Sequence, residues 1–155
     1  MKKPFINIAL TITAIIALNH NSINAQNMSN KKLNKIIYEL GDSIQHASEN
    51  YWVFKYKSKW LVCITDENHN RMRIISAIKK SSDVTSHEKN KCLEANFHTS
   101  LDTRYAVSQG MMYSAFIHPL KELTNSQVRD AISQVYRANV TFGSKYSSSN
   151  LFFNN

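Results

Sequence analysis

At 155 residues, with 19 lysines and arginines against 11 acids, the chain carries a formal charge of +8 and has the size of one ordinary domain with a real core. Three glycines and two prolines exclude a collagenous repeat or a low-complexity chain. The positive charge is dispersed, with no run of five like charges, and that excludes a basic nucleic-acid arm.

The first 25 residues read as a cleavable leader. Lys2 and Lys3 form a basic start, an uncharged run from Pro4 to Leu18 follows, and Ile23 and Ala25 occupy the −3 and −1 positions of a signal-peptidase site. The apolar run is shorter than the ~20 residues a bilayer-spanning helix needs. Cleavage after Ala25 is therefore expected, giving a periplasmic or secreted protein with no stable membrane insertion. Losing both leader lysines leaves a charge of about +6, enough for weak attraction to anionic envelope components.

Beyond the leader, Ser29 or Asn30 can cap a first helix whose Leu33, Ile36, Ile37, Leu40 and Ile44 recur at helical spacing. Tyr51 to Tyr56 then switches to β-branched and aromatic residues. Lys57 to Lys59 breaks that strand, Trp60 to Thr65 makes a second, and Asp66 to Asn70 turns into a third over Arg71 to Ile78. Lysines such as Lys55 and Lys59 suit the edge of such a sheet. Thr85 and Glu88 form the capping box of a second helix, with an inward line through the Lys89 stem, Cys92, Leu93, Asn96 and Phe97. Thr103 to Ser108 and Met111 to Ile117 form a hairpin around Gln109-Gly110, stopped by His118-Pro119. The last helix starts at a second capping box, Thr124 with Gln127, and Leu123 and Val128 form a hydrophobic staple. Its apolar face is Val128, Ala131, Ile132, Val135, Tyr136 and Asn139. The order αβββαββα predicts a single α+β domain over residues 26–142, an antiparallel sheet with helices on one face, then a polar tail over 143–155 in which Leu151 to Phe153 can add an edge strand or dock.

Cys63 and Cys92 belong to no CxxC motif, which disfavours redox catalysis and zinc. They read as two buried thiols or, in an oxidising compartment, as a disulfide. The histidines lack metal-ligand spacing, and GxSxG, HExxH and glycine-rich nucleotide loops are all missing, so no catalytic residue, metal or cofactor is expected. Arg71, Arg73, Arg104 and His118 are the speculative binding residues. Three arginines in a cleft between helices and sheet would suit an anionic ligand. Alternatively, Arg104 and Asp102 pair structurally with Glu94 or Arg73. Asn96 and His98 read as satisfying backbone groups where the second helix meets the hairpin. Asn139-Val140-Thr141 matches a glycosylation sequon, which reads as chance beside a bacterial-type leader.

The element order, with Asn70 to Ser76 (NRMRIIS), Leu93 to His98 (LEANFH), Arg104 to Val107 (RYAV) and Phe116 to Leu120 (FIHPL) followed by Leu123-Thr124, resembles the type III secretion chaperone-like superfamily. The nearest branch is the YbjN-type, sensory-transduction-regulator-like proteins and their exported relatives. The resemblance spans about Lys31 to Phe142. It implies a domain that binds other polypeptides, often as a homodimer, without a catalytic centre. Secretion chaperones are typically cytosolic and acidic, whereas this chain is basic and reads as exported. The surplus of aromatics, Trp52, Phe54, Tyr56, Trp60, Tyr105 and Tyr113, points the same way, to a protein partner met through the sheet face or edge.

Overall fold

Ser29 opens the first helix, its side chain accepting from the Lys32 backbone N–H. The computed structural model describes residues 27–149. The leader, its cleavage point after Ala25, and the Leu151 to Phe153 segment lie outside the described residues.

Helix α1 (Asn30–Leu40) buries Leu33, Ile36 and Ile37 and then stops, four residues before the periodic pattern ends. Gly41 turns the backbone into extended geometry, and the Asp42 carboxylate accepts from Lys57 N–H at 2.6 Å. The chain continues as β1 (Ser43–Ala47), with Ile44 opposite Phe54 of β2 (Tyr51–Tyr56). Ile44 thus belongs to a strand rather than to the helix, and the observed order is αββββαββα. The spacing of Leu40 and Ile44 mimics one helical turn, which concealed the strand.

The remaining elements are β3 (Lys59–Asp66), β4 (Arg71–Lys80), a 3-10 turn at Ser81–Asp83, α2 (Ser86–His98), β5 (Arg104–Ser108), β6 (Met111–His118) and α3 (Asn125–Thr141). They form one six-stranded antiparallel sheet in the order β1-β2-β3-β4-β6-β5. Gln109 and Gly110 both take positive φ, +47° and +75°, the geometry of a tight hairpin turn whose twist matches the strands. Because β1 exists, β2 and β3 are interior strands; Lys55 and Lys59 do not protect an edge.

The main core lies on the inner face of the sheet. Trp52, Phe54, Leu61, Cys63, Met72, Ile74 and Phe116 meet Leu33, Ile36 and Ile37 of α1 and Val128, Ala131, Ile132 and Val135 of α3. Each large side chain buried there contributes about 1.5–3 kcal/mol. Both capping boxes form, at Thr85 with Glu88 and at Thr124 with Gln127, and Leu123 and Val128 are both buried. Ser76 and Ser114 let α3 approach closely. Ser114 Oγ donates to Val135 O at 2.8 Å, and Asn139 Nδ2 donates to Ser76 Oγ and Ala77 O. Asn139 is thereby buried and bonded, so the sequon does not present its amide.

A second cluster sits at the β5 end: Val84, Cys92, Ala95, Tyr105, Met112, Ala138 and Tyr146. Helix α2 turns Cys92 and Ala95 inward, whereas Leu93 and Phe97 are 67% and 86% exposed and Lys89 is exposed too. Polar anchors set this rotation. Glu88 pairs with Lys79 at 2.9 Å, and Asn96 bonds both the N–H and the C=O of Tyr105. Asn96 therefore plays the predicted backbone role, whereas His98 stacks edge-on against Phe97.

Cys63 and Cys92 are both free thiols, and the disulfide does not form. They belong to different clusters, Cys63 on β3 and Cys92 on the helix packed at β5, three strand spacings away, or roughly 14 Å. Burial pushes the Cys92 thiol up to about 11 and the Cys63 thiol further. The domain also runs past Phe142. Tyr146, Ser147 and Ser148 are buried, with Thr99 Oγ1 donating to Tyr146 O and Thr141 Oγ1 to Ser147 O.

Candidate functional site

Alternate strand residues face opposite sides of a sheet, so the register fixes what the outer face presents. One row runs Tyr51, Ile64, Arg73, Ile117 across β2, β3, β4 and β6. The next crosses all six strands as His46, Val53, Val62, Ile75, Ala115 and Arg104. Lys55 beside Trp60, and Ala77 with Tyr113 and Ala106, continue the surface.

The middle row of this face is apolar, with Val53, Val62 and Ile75 half-buried and Ala115 buried, and exposed apolar residues flank it on both sides. Ile117 is 60% exposed, Trp60 45% and Ile64 37%. Among the described residues no helix covers it: α3 packs on β4 and β6 from the inner side, α1 packs on α3, and α2 packs at β5. A depression of about 460 Å³ opens at the β3–β4–β6 end of the face, lined by Ile64, Thr65, Asp66, Arg71, Met72, Arg73 and Ile117.

Charge on the face is one-sided. Lys55, Arg71, Arg73, Lys80 and Arg104 share it by register, against Asp66 alone. Asp66 lies opposite Arg71, yet its carboxylate is taken by His69. The His69 backbone N–H and its ring nitrogen, at 3.0 and 2.7 Å, hold that carboxyl below its usual range. No ion pair to Arg71 or Arg73 is formed among the described residues.

The four residues predicted for a cleft do not converge. Arg71, Arg73 and Arg104 are exposed on the outer face, pointing away from the helices, and Arg104 is separated from β4 by β6. His118 pairs with Met72 on the opposite face, stacks on Phe116 and bonds Pro119 O through Nδ1. The cleft between helices and sheet is therefore not an arginine-lined pocket. Neither does the alternative ion network form. Arg104 donates to the carbonyls of Leu101 and Thr103, Asp102 bonds Gln134, and Glu94 pairs with Lys91. Tyr51, Val62, Ile64 and Ile117 escaped the sequence reading; the signal for them was the unbroken apolar run of β3, typical of a strand covered on both faces.

The two sheet edges are less available than the face. Edge strand β5 has Tyr105 closed by the Asn96 amide. Edge strand β1 is five residues long, with a register shift between Ile44 and His46, devices that discourage strand addition. A separate concavity of about 550 Å³ opens between α2 and the Gly143 to Tyr146 turn. Its His87, Glu88, Lys91, Glu94, His98 and Lys145 interleave both signs of charge, and Lys91 and Glu94 already pair. Among the described residues no group of three His, Cys, Asp or Glu side chains could hold a metal ion, and no helix is long and apolar enough to cross a membrane.

The sequence matches no family model and no curated protein. The fold does have counterparts. A chain of the HopA1–SchA chaperone–effector complex is similar with a TM-score of 0.56 at 9% identity, over 72% of this chain and 90% of that one. The structure of the Yersinia pestis type III secretion chaperone SycH, in complex with a stable fragment of YscM2, gives 0.56 at 11% identity over 74% and 98%. The ExsC–ExsE complex gives 0.53 at 11% over 69% and 84%. The chain therefore has the secretion-chaperone fold, a single α+β domain built on a six-stranded antiparallel sheet.

Proposed function

We propose that this protein is an exported, non-catalytic protein-binding module that acts as a homodimer and receives its partner on the outer face of the sheet. The observation that carries this reading is the exposure of Trp60, Ile64 and Ile117 on that face, on either side of the apolar row through Val62 and Ile75. Burying such a surface is the ordinary driving force of protein association. The fold supports it, since its counterparts are chaperones and complexes with protein partners. Nearest kinship with the YbjN-type branch rests on the short phrases from Asn70 to Leu120.

Dimerisation is assigned to a different surface. Leu93 and Phe97 lie one helical turn apart on the solvent side of α2, too exposed to serve the core. A two-fold contact between α2 helices would cover both at once. Export rests on the leader ending at Ala25.

Light scattering on the purified protein tests the oligomer. A dimer that becomes a monomer in Leu93→Asp/Phe97→Asp is expected, and a monomeric wild type would remove this part. Photocrosslinking from position 117 in cells tests the face: a crosslink to another polypeptide is expected. A protein that stays monomeric and captures nothing would overturn the reading. Intact mass tests export, with a mature chain starting at Gln26 expected and a full-length membrane-retained chain against it.

A further inference from the structure

Resting on the outer-face reading, we infer that this face selects its partner by charge: its occupant is an amphipathic segment that brings carboxylates alongside an apolar stripe. The reason is the position of Arg73. In its cross-strand row Arg73 stands between Ile64 on β3 and Ile117 on β6, both exposed. Any occupant that covers these two isoleucines also takes Arg73 out of water. Arg73 has no ion-pair partner among the described residues, and neither has Arg71, two residues away on the same face. The acid nearest by register, Asp66, is held by His69. Covering an unpaired guanidinium is strongly unfavourable, whereas a carboxylate placed over it gives a bidentate charge-assisted pair.

The same geometry defines the occupant's backbone. The strands beneath have spent their N–H and C=O groups on the ladder, so the face offers a visitor no main-chain bonds. A segment lying across it must satisfy its own backbone, and that favours a helix. From β2 to β6 the face spans three strand spacings, about 14 Å, which about ten helical residues would cross. The apolar stripe would meet Ile64 and Ile117, with Glu or Asp beside it over Arg73 and Arg71.

Trp60 provides the readout, because the only other tryptophan, Trp52, is buried and bonded to Asn34. Two synthetic helical peptides share one leucine stripe, flanked by glutamates in one and lysines in the other. The acidic peptide is expected to shift the Trp60 signal and bind roughly tenfold or more tightly than the basic one, with the advantage shrinking in high salt. Arg73→Glu should reverse the preference, and Ile117→Ser should weaken both peptides. Unchanged thermal midpoints are the control showing that these exposed substitutions leave the fold intact. Equal binding of both peptides would overturn the charge inference and leave the face reading standing. Failure of both peptides to bind, by calorimetry as well as by the Trp60 signal, would overturn both readings. A Trp60 signal that changes with protein concentration alone would assign the face to a second copy. One that responds only to phosphatidylglycerol vesicles would assign it to a lipid surface. Either would end the proposal.

Discussion

The two faces of the sheet are built from similar residues and end in opposite states. Inward, Phe54, Leu61, Cys63 and Ile74 are fully covered by α1 and α3; outward, Val53, Val62, Ile75, Ile64 and Trp60 sit one residue away along the same strands. Strands as apolar as β3 ordinarily have both faces covered. Here the chain's described helices serve only one face. The difference teaches that apolar character in a strand says how many faces need cover, while the helices decide which of them finds it within the chain.

Substitution should separate the faces sharply. Phe54→Ala, which empties a fully buried site, is expected to cost about 3–5 kcal/mol in urea unfolding. Ile117→Ser on the outer face should stay within about 1 kcal/mol. Equal losses would mean that the outer face is packed against something and would break the contrast. Where α1 is seated, Gly41→Ala should cost about 1–3 kcal/mol, because a Cβ there would meet Ile37 O and Ile44 Cδ1 at 2.9 Å each. An unchanged urea midpoint would show that the junction between α1 and β1 relaxes easily.

The smallest effect concerns α2, which polar contacts hold in place. The Lys79 ammonium and the Thr85 cap hold the Glu88 carboxyl down at about 2. A folded pKa below the unfolded one contributes stability that is complete above about pH 4.5 and disappears as pH falls towards 2. Glu88→Gln should therefore show a shallower loss than the wild type across that window. An identical profile would mean that the pair does not anchor the helix. Asp66, Glu94 and Glu122 are also held low and supply the residual slope.

Much of the fold was legible in local chemistry. The capping boxes at Thr85 and Thr124, the Gln109-Gly110 hairpin and the face of α3 each follow from contacts within a few residues. The failures were non-local. Strand β1 was hidden because Ile44 continues a helical spacing, and only its pairing with Phe54 distinguishes the two readings. The rotation of α2 was hidden because Lys79, outside the helix, draws Glu88 towards the sheet and leaves Leu93 and Phe97 in solvent against hydrophobic expectation; Asn96 alone of the polar residues on the expected inward line keeps its place, bonded to Tyr105. At the site, the alternation of β4 sets Arg71 and Arg73 on the face opposite the apolar Met72 and Ile74, so their separation from the core was legible, and the expected cleft between helices and sheet went against it.

The contrast between the faces is tested most directly by fluorine NMR on protein grown with 5-fluorotryptophan, which places one probe on each side of the sheet. In the protein alone, Trp60 should show a clear solvent-isotope shift between H2O and D2O, and Trp52 should show none. On addition of a partner, the Trp60 resonance should move while Trp52 stays in place. A Trp60 resonance already insensitive to solvent in the protein alone would contradict an open outer face.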